Sequence, residues 1–240
     1  MTNVRDLGGL ITGDGRVTRS RVVLRGETPD ELDARDVDDL VERVGVRLVI
    51  DLRMTHERVQ RRSPLADAGV ETLCMPLWDD PAISAGLRAD PWLDDEAGAE
   101  KMAEFYLRVI DSIGSQACEL LEALVSRPGA ALLHCTGGKD RTGMMAALLL
   151  GAVGVENELI VRDYAATGLR LEALFARLSR LHGVSYPPAD VPRFALRSDP
   201  RTMQMVLASL IERHGGVRQW WLAQGIGDGT LAAWDRRFTA

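Results

Sequence analysis

Several residue classes are scarce in this sequence, and each scarcity removes a reading. Only three cysteines occur, Cys74, Cys118 and Cys135. They are too few and too irregularly spaced for a disulfide framework or a paired metal motif, and they suit free thiols in a reducing compartment. No apolar run reaches the span of about 18 residues that a membrane helix needs, so no integral membrane association is expected. The opening MTNVRDLGGLITGDG has no basic start followed by an apolar stretch. Cytoplasmic residence is therefore the expectation, with export without a cleaved signal left open. Positive charge is in deficit: Lys and Arg total 29 against 35 Asp and Glu, a net charge of −6. Without a global basic footprint nucleic acid is not an expected partner, and any anion site must be local. Lysine is almost missing, since only Lys101 and Lys139 are lysines. Repeats, low-complexity segments and long linkers are absent as well.

What is present is a chain of 240 residues with 46% hydrophobic content, enough to bury a full core. The organisation expected is one domain over 1–240, with 156–240 a mainly helical extension packed on it. VVL at 22–24 reads as a short strand. Thr28 and Pro29 read as a helix start, followed by an apolar face of Leu32, Val37, Leu40, Val41 and Val44. RLVIDLR (47–53) is a continuous apolar run ending in charge, the pattern of a buried parallel strand whose carboxyl end opens to a site. VETLCMPL (70–77) and AALLHC (130–135) are further strands. Helical patterns cover 100–113 and 115–126, the residues after Arg141, and approximately 156–166, 168–182, 200–213 and 216–237. Alternation of this kind predicts an α/β fold: a central, mostly parallel sheet of four to five strands flanked by helices, with additional C-terminal helices.

The densest chemistry lies in HCTGGKDRTG (134–143), between an apolar strand and an apolar helix. Main-chain N–H groups of a tight glycine-containing loop, together with a helix N-terminus, can bind a phosphate by backbone alone. Gly137 and Gly138 allow the close approach, and Thr136 belongs to the same cradle. The field that holds an anion also favours the thiolate of Cys135, and a thiolate in a phosphate site is a nucleophile for phosphorus. Arg141 offers a planar fork for two equatorial phosphate oxygens. Thr142 is placed to donate its hydroxyl to the cysteine sulfur, and His134 to fix the loop backbone.

This segment resembles the signature of the cysteine-dependent phosphatases, and its GKDRTG version is similar to the bacterial tyrosine-phosphatase-like family that includes secreted, lipid-active members. NVRDLGG (3–9), LRGE (24–27), VIDLR with Glu57 a few residues on (49–57), RDYAAT (162–167) and a C-terminal helix pair around HGGVRQWWLAQGIGDGTLAAW carry the same resemblance, so that it spans nearly the whole chain. The resemblance implies a phosphomonoester hydrolase. Its implied substrates are phosphotyrosine proteins, phosphoserine or phosphothreonine, and phosphoinositides. The chemistry expected needs no metal and no other cofactor.

Other residues read two ways. Lys139, in a chain that uses arginine almost everywhere else, suits a phosphate-facing cation; as a bland alternative it is a solvated lysine. Asp140 opposes an anion unless it serves as general acid for the leaving oxygen, and otherwise it caps the helix N-terminus. Asp79 and Asp80 in WDDP are the alternative source of that acid, or turn residues before Pro81. Asp51 and Arg53 end a strand near the loop, lining the cleft or bracing it with ion pairs. Asn3, Arg5 and Asp6 are supporting residues by resemblance. Two rival functions stay open at this stage: a phosphate-binding module with weak or no catalysis, and a thiol oxidoreductase of arsenate-reductase type, which would need a resolving cysteine. The pocket's depth, and with it the substrate, depends on the segments 78–95 and 183–198. Oligomeric state is not legible.

Overall fold

A computed structural model describes residues 1–58, 63–77, 95–183, 185 and 193–240. Asp79 and Asp80 therefore lie outside the described residues, as do all of the segment 78–95 but its last residue and half of the segment 183–198. The described residues form five strands: β1 (Arg5–Asp6), β2 (Val23–Gly26), β3 (Val46–Asp51), β4 (Glu71–Cys74) and β5 (Ala130–His134). They form one sheet in the order β1-β2-β5-β3-β4, with all neighbours parallel except β1 and β2. This is the expected mostly parallel α/β sheet. The antiparallel edge strand β1, only two residues long, is the element that periodicity does not reveal.

Sequence alternation explains how the sheet is covered on both faces. Val23, Leu48, Ile50, Ala131 and Leu133 point into one apolar cluster, whereas Leu24, Val49, Ala130 and Leu132 join a second one on the opposite face. Burial of each such Val or Leu is worth about 1.5–3 kcal/mol. On the second face lie α1 (Ala34–Asp38) and α2 (Pro64–Asp67). The first face carries α3 (Asp95–Ser112), α4 (Gly114–Ser126) and α5 (Asp140–Ala152). The chain then runs through α6 (Asn157–Ala166), α7 (Leu171–His182), α8 (Pro200–His214), α9 (Val217–Ala223) and α10 (Asp228–Phe238), with α8 packed on α3 and α6. No described helix is long and apolar enough to cross a membrane.

One element boundary differs from expectation, and one is sharpened. The first helix does not begin at Thr28 and Pro29. It begins after Asp33, whose side chain accepts from the Asp36 N–H at 2.8 Å, and it continues as a π-helical turn to Val44. An N-cap side chain of this type satisfies a helix donor that proline at the earlier position could not, so the cap decides the start. Thr28 is used otherwise, its N–H donating to the Thr136 carbonyl at 3.0 Å. The helical stretch expected over 216–237 is the helix pair that the resemblance implies, its two helices parted at Gly225, whose φ of 96° an L-residue rarely adopts.

The register brings Gly26, His134, Asp51 and Cys74 level at the carboxyl ends of the four parallel strands. The loop after β5 therefore emerges at the middle of the sheet edge where α/β proteins place ligands. At its other end α5 is anchored by indole N–H groups, Trp221 donating to the Leu148 carbonyl at 2.9 Å and Trp234 to that of Leu149 at 3.1 Å.

Candidate active site

All of β5 is buried, and the residue after it, Cys135, is only 3% exposed. Five residues on, α5 starts at Asp140, and its N-cap residue Lys139 supplies no side-chain cap. The loop thus leaves first-turn N–H groups for another acceptor. One loop N–H has its acceptor: Gly138 N lies 3.3 Å from Cys135 Sγ. The hydroxyl of Thr142 does not take that role. It is fully buried and has no hydrogen-bond partner among the described residues, so the expected donation from Thr142 to the sulfur is replaced by a main-chain bond.

Arg141 turns back over the loop and meets Glu57, which follows β3 on a short 3-10 turn (Thr55–Glu57). Arg141 Nη2 donates to Glu57 Oε1 at 2.8 Å, Nη1 donates to Oε2, and Thr136 Oγ1 donates to Oε1 at 2.5 Å. Burial alone would raise the Glu57 carboxyl. The bidentate guanidinium and the Thr136 hydroxyl override it and hold the group at about 2, so Glu57 is a carboxylate at neutral pH. The carboxylate fixes the plane of the arginine fork. Glu57 has no assigned role in the sequence reading, because nothing in its spacing points across 84 residues to Arg141.

A second set of contacts surrounds the first residue of α5. Tyr106 OH donates to Asp140 Oδ1 at 2.6 Å, and Lys139 Nζ pairs with the same oxygen at 2.8 Å. Lys139 Nζ also donates to the Arg197 carbonyl at 2.8 Å. Burial lowers the proton affinity of Lys139, but Asp140 more than offsets it and the ammonium is retained. Tyr106 is driven well above its ordinary value by burial and by the Asp140 charge, and is a hydroxyl donor at neutral pH. Asp140 is thus held by two donors and is 31% exposed on its side chain. It is not the side-chain cap of its helix. Tyr106, unlike Glu57, is not singled out by the sequence at all, its position on α3 fitting an ordinary core face.

His134 is buried with Nδ1 3.1 Å from the Cys135 carbonyl and Nε2 3.9 Å from Asp51 Oδ1. Burial lowers its pKa against the pull of Asp51, which leaves a neutral ring donating from Nδ1. Asp51 and Arg53 are joined by a 2.8 Å ion pair, and Arg53 Nη1 reaches Asp30 at 2.5 Å. These two residues brace one another beside the loop.

The model of the tyrosine phosphatase family matches residues 1–240. This chain belongs to that family. A putative tyrosine-protein phosphatase of Cupriavidus necator is 31% identical over 197 residues, covering 79% of this chain and 69% of the relative. The triple specificity protein phosphatase PtpB of Mycobacterium tuberculosis is 27% identical over 245 residues, covering 92% and 83%. A solved structure, the core catalytic domain of the PP-IP phosphatase SIW14 of S. cerevisiae with citrate, covers 89% of this chain at 12% identity and a TM-score of 0.38.

Within this phosphatase the two loop glycines are not equivalent. Gly138 has φ of 69°, and a Cβ there would lie 2.4 Å from the Gly26 carbonyl carbon and 2.7 Å from Glu27 N. A Cβ on Gly137 would meet only Leu174 Cδ2, at 3.5 Å, an ordinary contact. Gly138→Ala should lose at least about tenfold in kcat/KM on an aryl phosphate, because strain of roughly 1–3 kcal/mol adds to a backbone clash. Gly137→Ala should stay near wild type. Equal losses in the two variants would contradict this distinction.

Proposed function

We propose that this phosphatase hydrolyses phosphomonoesters through a cysteinyl-phosphate on Cys135. The observation that carries the reading is the Gly138 N–H directed at Cys135 Sγ in a loop that opens onto an uncapped helix N-terminus. A donor at that place stabilises negative charge on sulfur. In the first step the sulfur bonds to phosphorus while the bond from phosphorus to the leaving oxygen breaks. Arg141 holds two oxygens of the flattening phosphoryl group. In the second step water displaces the sulfur and inorganic phosphate departs. Thr136, Gly137, Gly138, Lys139 and Thr142 complete the phosphate cradle in this proposal, with His134, Asp51 and Arg53 in support. The arsenate-reductase alternative needs a resolving thiol beside Cys135. Cys118 instead donates to the Gln224 carbonyl at 3.5 Å, and Cys74 is exposed on the far edge strand. Turnover of a chromogenic aryl phosphate in the presence of chelator separates the enzyme from a phosphate-binding module.

Asp140 is the general acid of the proposal: it protonates the leaving oxygen and then takes a proton from the attacking water. Tyr106 and Lys139 both bind Oδ1, which fixes the carboxyl group and leaves Oδ2 to carry the proton. Asp140→Asn should cost about 10²–10⁴-fold on alkyl phosphates, whose alkoxide leaves poorly, and little on activated aryl phosphates. If the loss is equal on both while Asp79→Asn or Asp80→Asn shows the leaving-group dependence, the acid belongs to the WDDP segment.

The proposed substrates are phosphotyrosine proteins, phosphoserine and phosphothreonine proteins, and phosphoinositides. Breadth is supported by the Mycobacterium relative, a triple specificity phosphatase by name, and by Lys139, whose ammonium sits at the loop although it faces Asp140 and the Arg197 carbonyl. Lys139→Ala should reduce kcat/KM more on a phosphoinositide than on a phosphotyrosine peptide. Higher salt should narrow the difference, because the attraction is screened. Equal proportional losses would remove Lys139 as a source of polyanion preference.

A further inference from the structure

Two consecutive peptide groups of the phosphate loop are gripped from outside by side chains that no step of the proposed chemistry uses. Asn3 Nδ2 donates to the Gly137 carbonyl at 3.0 Å, and Arg25 Nη2 donates to the Gly138 carbonyl at 2.7 Å. A peptide group is a rigid plate whose C=O and following N–H point in opposite directions. Fixing the Gly137 carbonyl outward therefore turns the Gly138 N–H inward, and that N–H is the one directed at Cys135 Sγ at 3.3 Å. Fixing the Gly138 carbonyl does the same for the N–H of Lys139.

Both grips converge on one carboxylate. Asp163, on α6, accepts from Arg25 Nη1 at 2.5 Å through Oδ2 and from Arg5 Nε at 2.6 Å through Oδ1. Arg5 Nη1 in turn donates to Asn3 Oδ1 at 2.8 Å, which orients the amide of Asn3 toward the loop. Asn3 and Arg25 are buried and Arg5 and Asp163 half-buried, the Arg25 side chain being 0% and that of Asp163 9% exposed. Burial would raise the Asp163 carboxyl, and the two guanidinium groups keep it below its ordinary value. Asp6, the third residue expected in this neighbourhood, turns away and accepts from the N–H groups of Gly8 and Arg21.

We propose that Asp163 is a positioning residue of this phosphatase: through Arg25 on one side and Arg5 with Asn3 on the other, it presets the loop with its N–H groups facing the phosphate. The inference rests on the proposed reading of the loop as the phosphate site. Preset N–H groups raise anion affinity because no peptide has to turn on binding.

The test is Asp163→Asn, which keeps the shape and removes the charge that aligns both arms. KM for an aryl phosphate and the inhibition constant of orthovanadate should each rise roughly 10-fold to 100-fold, the range for losing charge-assisted hydrogen bonds. The ratio of rates on alkyl and aryl phosphates should not change. A merely structural role would lower the active fraction, so kcat would fall while KM and the vanadate constant stayed as in wild type. That result overturns the proposal. Asn3→Asp serves where Asp163→Asn fails to fold: it is isosteric, keeps an acceptor for Arg5, and sets a carboxylate oxygen against the Gly137 carbonyl, so the same two constants should rise. Wild-type constants in a folded Asn3→Asp overturn the proposal equally. Should the wild-type enzyme bind no vanadate at all, the phosphate reading of the loop fails first and takes this inference with it.

Discussion

Cys135→Ser should reduce hydrolysis of aryl phosphates to the uncatalysed rate, a loss of roughly 10⁴-fold or more, as when other enzymes lose their nucleophile. It should leave phosphate and vanadate binding in place. A serine hydroxyl is not ionised at neutral pH, and Cys135 Sγ is met by a main-chain N–H donor, which cannot take a proton from it. The groups that bind the anion, loop N–H and Arg141, are untouched by the change. Steady-state rates in chelator and vanadate titration of both proteins check the two halves. Normal turnover in Cys135→Ser would sink the covalent mechanism, whereas loss of vanadate binding together with turnover would mean that the sulfur shapes the loop as well as attacking.

Arg141→Lys should lose about 10²–10³-fold in kcat/KM although the charge is conserved, the cost typical of removing an aimed donor at a developing charge. Lysine lacks the planar fork, so it cannot accept the bidentate hold of Glu57 and present two donors to the phosphate together. Glu57→Gln should give a smaller loss in the same direction, since it leaves the arginine in place and loosens its plane. Sign matters for the acid limb: the Glu57 carboxyl is depressed from its ordinary 4.5 to about 2. Its contribution to stability is whole above about 4.5 and is lost as the pH falls toward about 2. Near-wild-type kinetics in Arg141→Lys would make the arginine a structural partner of Glu57 and nothing more.

The loop chemistry was legible because it is contiguous. Cys135, the two glycines, Lys139, Asp140 and Arg141 lie within seven residues, and a strand before them and a helix after them bring any such segment together at one sheet end. Local signals were less decisive where two of them competed. Thr28 with Pro29 and Asp33 are both plausible helix starts, and only the formed Asp33 cap shows which one the chain uses. Thr142 illustrates a different limit: its proximity in sequence to Cys135 suggests a bond to sulfur, but the hydroxyl has no partner among the described residues while a backbone N–H three residues from the cysteine makes that bond.

Hydrophobic period, strand ends and a ten-residue motif determined the α/β class, the mostly parallel sheet and the identity of the loop, since each depends on residues that are neighbours along the chain. The tertiary structure alone decided which distant side chains complete that loop. Placing β5 between β2 and β3 sets Arg25 on one side and the turn bearing Glu57 on the other, and packing of α3 and α6 brings Tyr106 and Asp163 to the same end. These partners lie 34 to 158 residues from the groups they hold. At such separations spacing carries no information about contact. A charged or phenolic side chain acquires its role only when folding removes the water and leaves one partner within hydrogen-bonding reach.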